Sequence, residues 1–126
     1  MTEINSYKDL NVWQKGIDLT VEVYKLIKKL PKEETYVLSD QLRRAAVSIP
    51  ANIAEGKHRG GKNEYAHFLS IAIGSKAELE TLLLICVKIG YLNENDISNS
   101  IKLLDEIGKM LYSLMSKLKN PSTSNQ

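Results

Sequence analysis

The chain has 126 residues, 43% of them hydrophobic and 25% charged, with a formal net charge of +2. That length predicts one domain around one core, and no apolar run approaches the roughly 18 residues that a membrane helix requires. A net charge this small names no partner. The opening MTEINSYKDLN lacks the basic-then-apolar profile of a signal peptide. The single cysteine, Cys86, lies in the apolar run LLLICVKI and reads as a small core residue. Together these features predict a cytoplasmic protein.

Four segments show helical periodicity and none shows sustained strand alternation. In the first, Leu10, Trp13, Ile17, Tyr24 and Ile27 recur at helical spacing with Val21 between them, and are read as the core side. Asp9 is the expected N-cap, and Pro31 stops the helix. The second runs from about Glu33 to Glu55 with Leu38, Leu42, Ala45, Ile49 and Ile53 on one side, and Gly56, Gly60 and Gly61 end it. The third, about Lys62 to Ile89, carries a stripe of Phe68, Leu69, Ala72, Leu79, Leu82, Leu83, Cys86 and Ile89, with Gly90 as C-cap. The fourth is capped by Asn93 or Asn95 and continues through Ile97, Ile101, Leu104, Leu111, Met115 and Leu118. Ile107 and Leu114 widen this stripe and Gly108 interrupts it. Four long helices with brief connections predict an all-α, antiparallel up-down-up-down four-helix bundle over residues 1–119. The polar segment NPSTSNQ, residues 120–126, is expected to be a disordered tail.

The second helix carries the unusual chemistry. Pro50 lies one turn after Ala46, removes a backbone hydrogen bond and costs about 3 kcal/mol in a straight helix. A kink rather than a break is predicted, because ANIAEG continues the pattern. Ala45, Ala46, Ala51 and Ala54 leave little bulk around it, so backbones can approach closely there. Gln41, Arg44, Ser48, Asn52 and Glu55 fall on one face, with Arg44 in reach of Ser48 and Asn52 in reach of Glu55. This stripe is either an ordinary solvated face or, because its groups are mostly short hydrogen-bonding ones, an oligomer interface.

The positive charge is concentrated in the same region. Residues 28–62 hold eight Lys or Arg against four Asp or Glu, whereas the segments on either side each carry a net of −1. In GKHRGGK, Lys57, His58, Arg59 and Lys62 surround a tight turn, with Arg43 and Arg44 further back on the same rod. Glycine lets backbone approach a phosphate and the cations neutralise it. The six residues are therefore candidate phosphate contacts without a base-reading code; a charged loop of no function is the alternative.

Nothing in the chain predicts an enzyme. His58 and His67 are its only histidines, and there is no Cys/His metal set. Nucleotide-loop and nucleophile-elbow motifs are also missing. No catalytic residue, metal or cofactor is expected. Trp13, Tyr24, Tyr36, Tyr65, Phe68, Tyr91 and Tyr112 read as core or interface rather than as base-stacking platforms, with Trp13 the best bundle anchor.

The segments LNVWQKGIDLTVEVY, YVLSDQLRRAAVSIPANIAEGKHR and EYAHFLSIAIGSKAELETLL, in this order and spacing, resemble the 23S rRNA intervening-sequence protein family of small bacterial four-helix bundles. The resemblance spans Leu10 to Leu118. The accessory variability protein of diversity-generating retroelements is similar. The resemblance implies a homopentamer, a barrel of five bundles, with a basic surface that binds RNA or DNA. For the retroelement relatives it implies association with a reverse transcriptase. The expected function is a non-enzymatic oligomer that binds nucleic acid through Arg43, Arg44, Lys57, His58, Arg59 and Lys62. The alternative is a protein-interaction scaffold with no direct nucleic-acid role.

Overall fold

Four stretches with apolar residues every three or four positions become four helices in the computed structural model, which describes residues 6–119. These are α1 (Asn11–Ile27), α2 (Leu38–Arg59), α3 (Lys62–Ile89) and α4 (Glu94–Lys119). Single 3-10 turns at Tyr7–Asp9 and Lys32–Glu34 precede α1 and α2, and the described residues contain no strand. Each helix packs on its chain neighbours, and α1 closes the ring against α4. The ion pairs Lys15–Glu106 (3.2 Å) and Lys29–Asp96 (2.8 Å) register α1 and α4 antiparallel. The protein is a four-helix bundle. Leu19, Leu42, Ile49, Ile53, Leu79, Leu83, Leu104 and Leu111 are fully buried on its axis, each contributing about 1.5–3 kcal/mol by leaving water.

Glycine sets the turns. Gly60 (φ 83°) and Gly90 (φ 99°) end α2 and α3 in the left-handed region that a Cβ disfavours. At Gly90 the amides of Gly90 and Tyr91 reach back to the carbonyls of Val87 and Cys86, a Schellman closure. At the start of α4, Asn93 Oδ1 accepts from the Asp96 amide (2.7 Å) and Asp96 Oδ2 accepts from the Asn93 amide (2.9 Å). This reciprocal box selects Asn93 over Asn95 as the cap.

Several expectations change. α1 turns Val12, Gly16, Leu19, Val23 and Leu26 inward and leaves Ile17 (39% exposed), Val21 (51%) and Tyr24 (44%) outside. Leu10, Trp13 and Ile27 are partly buried against the core. Two apolar stripes run along this helix, and periodicity alone does not rank them. Asp9 does not cap α1, whose N-cap position is Leu10; Ser6 caps the preceding 3-10 turn instead. α2 begins at Leu38, its amide capped by Glu34 Oε1 (3.2 Å), because Lys32–Glu34 closes as a separate turn after Pro31. Gly56 lies inside α2 rather than ending it. In α3, Phe68 is half-buried and Ile89 is exposed. The expected tail, residues 120–126, lies outside the described residues.

α2 runs unbroken through Pro50. The proline leaves the Ala46 carbonyl without its helical donor, and Thr20 of α1 answers. Its hydroxyl lies 3.2 Å from that oxygen and 2.8 Å from its own Gly16 carbonyl. Gly16 itself faces the buried proline ring; a Cβ there would stand 3.2 Å from Pro50 Cβ. The close approach anticipated from the alanines is therefore made inside one chain, by α1.

Candidate nucleic-acid interface

The α2–α3 turn places Lys57, His58, Arg59 and Lys62 at one end of the bundle, around left-handed Gly60. α3 seats directly on α2 there. A Cβ on Gly56 would stand 2.8 Å from Phe68 Cβ and 3.1 Å from the Tyr65 ring. Lys57 Nζ lies 5.7 Å from the Tyr65 ring centre, a cation–π contact. Arg59 is held on several sides. Its Nε donates to Glu55 Oε2 (2.8 Å), Nη1 lies 3.9 Å from Glu64, and the guanidinium carbon sits 5.1 Å over Phe68. Among the described residues neither Lys57 nor Lys62 has a carboxylate within ion-pairing distance.

Arg43 and Arg44 are not part of this end. The twelve residues between Arg44 and Lys57 set the two about 20 Å apart along the helix. Both arginines share one carboxylate: Arg43 Nη1 donates to Asp40 Oδ1 (3.0 Å) and Arg44 Nε to Asp40 Oδ2 (2.8 Å). The Arg44 hydrogen bond, with Arg43 alongside, holds the Asp40 carboxyl below its ordinary 3.8. Arg43 also lies 5.9 Å over the Tyr24 ring.

The polar stripe of α2 divides in the same way. Gln41, Arg44 and Glu55 are exposed, whereas Ser48 and Asn52 are half-buried. Ser48 Oγ and Ser75 Oγ of α3 are 2.7 Å apart, and Asn52 Nδ2 donates back to the Ser48 carbonyl (2.8 Å) and hydroxyl (2.9 Å). The anticipated Arg44–Ser48 and Asn52–Glu55 bonds are replaced by these and by Arg44–Asp40.

Tertiary packing adds cations that sequence reading missed. Because α4 runs antiparallel to α1 and α3, its last turn, with Lys117 and Lys119, lies at the end that holds the α2–α3 turn. Lys8 arrives there on the 3-10 turn that packs on α2. Among the described residues the acids at this end are Asp9, Glu55 and Glu64. Only antiparallel topology, not local spacing, signals this gathering. Among the described residues no His, Cys, Asp and Glu cluster has the arrangement of a metal site, and no helix is long and apolar enough to cross a membrane.

An antiparallel four-helix bundle with a basic end and no metal-binding cluster among its described residues defines the class. The family model for the 23S rRNA-intervening sequence protein matches residues 8–113, and the chain belongs to that family. Among solved structures it is similar to a protein of unknown function from the S23 ribosomal protein family of Bacteroides thetaiotaomicron VPI-5482. The two share 28% identity with a TM-score of 0.76, over 82% of this chain and 97% of that one. No curated protein matches the chain.

Proposed function

We propose that the protein is a non-enzymatic, self-associating bundle that holds nucleic-acid backbone, RNA or DNA, on its basic end. The observation that carries this reading is the convergence of Lys57, His58, Arg59 and Lys62 with Lys8, Lys117 and Lys119, of which Lys57 and Lys62 have no carboxylate partner among the described residues. Phosphate attraction needs such unneutralised cations. Arg43 and Arg44 are secondary, since Asp40 already occupies both. Self-association is supported by the outward stripe of Ile17, Val21 and Tyr24 on α1. Five copies is the number that the family resemblance implies, and the cytoplasm is the compartment that fits.

Titration of a structured RNA at several salt concentrations tests the reading. Affinity should fall as salt rises, and Lys57→Ala with Lys62→Ala should flatten the slope by about 0.7–0.9 per lysine. Arg43→Ala and Arg44→Ala should change it less. Absence of binding at low salt, or binding indifferent to salt, rejects the basic end as a phosphate surface.

A second reading, a scaffold for a protein partner, is favoured by a different observation. Tyr36 is 91% exposed, and Val37, Ile85 and Ile89 are also exposed near the opposite end of α2 and α3. Co-purification distinguishes the two: a partner retained after nuclease treatment supports the scaffold, and a nuclease-sensitive one supports nucleic acid.

A further inference from the structure

The basic end contains a cleft whose chemistry differs from that of its rim. Arg59, Asn63, Glu64, His67 and Phe68 line about 400 Å³ at the α2–α3 corner, within the range of ligand-sized clefts. Its walls are flat. The Arg59 guanidinium lies over the Phe68 ring at 5.1 Å, and His67 meets the same ring edge-on at 5.1 Å and 74°. Glu55 and Glu64 fix the Arg59 plane and offset its charge. Gly56 lets α3 sit against α2 so closely that the Phe68 Cβ has no room to retreat toward it.

Charge decides what such a cleft can take. A phosphate would meet Glu64 inside it and an arginine already paired twice. Lys57 and Lys62, without an ion-pair partner among the described residues, stand at the neighbouring turn rather than in the lining. An uncharged planar group suits the interior better. Guanidinium and imidazole faces stack on nucleobases, and the Asn63 carboxamide carries a donor and an acceptor for a base edge.

Resting on the phosphate-binding reading of this end, we propose that the cleft receives one unpaired nucleobase while the adjoining lysines hold the strand's phosphates. The protein is then selective for single strands. A duplex keeps its bases stacked and paired, so it meets only the lysine rim.

The test uses the full chain and fluorescence anisotropy at low salt with three probes. These are a single-stranded decanucleotide, the same sequence as a duplex, and a decamer of abasic sites with the same phosphates. The single strand should bind about tenfold tighter than the other two. Asn63→Ala and His67→Ala alter exposed side chains, so helicity and melting temperature serve as fold controls. Each should erase most of that preference while leaving duplex affinity unchanged, and Asn63→Ala should also leave the salt slope unchanged. Lys62→Ala should weaken all three probes.

Equal binding of all three probes, or a preference that survives both cleft variants, overturns the base-binding cleft and leaves the phosphate surface standing. Failure of every probe to bind overturns both. A free nucleoside monophosphate shares the same chemistry, so adenosine monophosphate is added as competitor. Competition at concentrations comparable to the decamer assigns the cleft to free nucleotides and overturns the strand proposal.

Discussion

Gly56 and Gly108 are both buried within helices, yet an added methyl group has opposite consequences at the two. At Gly56 it would meet Phe68 Cβ at 2.8 Å and the Tyr65 carbonyl oxygen at 3.3 Å, neither of which moves cheaply. Overpacking of about 1–3 kcal/mol outweighs the roughly 1 kcal/mol gained by replacing a helical glycine. Gly56→Ala should therefore lower the urea midpoint. At Gly108 the methyl meets only the far end of the Lys76 side chain, at 2.8 Å from Cε. That chain can swing away, so Gly108→Ala should be equally or more stable. Tyr65 offers a third case. Its hydroxyl is buried without a hydrogen-bond partner among the described residues, and burial pushes its pKa up. An unsatisfied buried hydroxyl costs about 1–3 kcal/mol, so Tyr65→Phe should hold or raise stability. Cys86 is pushed up to about 11, mainly by burial, with Glu34 adding to it. At pH 8 its thiol should react with a thiol reagent only as the bundle unfolds.

At the scale of elements, the contact of α1 with α2 is built around one missing amide hydrogen. Thr20 shares its one hydroxyl proton between the Gly16 carbonyl and the Ala46 carbonyl that Pro50 leaves without a donor, and Gly16 admits the proline ring. Thr20→Val keeps the shape and removes the donor, which should cost about 1–2 kcal/mol. The cost should shrink in a Pro50→Ala background, where the amide at position 50 serves Ala46 itself. A double-mutant cycle by denaturant melts measures this, and strict additivity rejects the pairing. The cap of α4 titrates. Hydrogen bonds from Lys29 and from the Asn93 amide hold the Asp96 carboxyl below its ordinary 3.8. The folded chain thus binds fewer protons there than the unfolded one. The stabilisation is complete above about pH 4 and is lost as pH falls through the lowered value. Melting temperatures between pH 2 and 5 should drop, and Asp96→Asn should flatten that drop.

Across the whole molecule, the outward apolar stripe and the basic end belong to different surfaces, and they separate experimentally. Replacing Ile17 with Lys and Val21 with Glu should shift light scattering from an assembly toward the 14.2 kDa chain without loss of helicity, because neither side chain belongs to the core. A wild-type chain that scatters as a monomer at micromolar concentration rejects self-association. Removing the lysines of the basic end should act the other way, weakening nucleic acid while the assembly persists.

Helix number, the turns and the core side of α2 were legible in the chain because they follow from local physics. Pro31, Gly60 and Gly90 punctuate the backbone, and Leu38, Leu42, Ala45, Ile49 and Ile53 recur on one face. The candidate site was legible only in part. The turn cations were visible as a cluster, but the pairing of Arg43 and Arg44 by Asp40 and of Arg59 by Glu55 and Glu64 is a matter of side-chain reach in the folded chain. Lys8, Lys117 and Lys119 join the cluster only through antiparallel packing. Tertiary structure likewise chose between the two apolar stripes of α1, since a 3.6-residue period scores both alike. Val12, Leu19 and Val23 face inward because Gly16 and Thr20 fit against Pro50 and Ala46, a complementarity between segments some thirty residues apart.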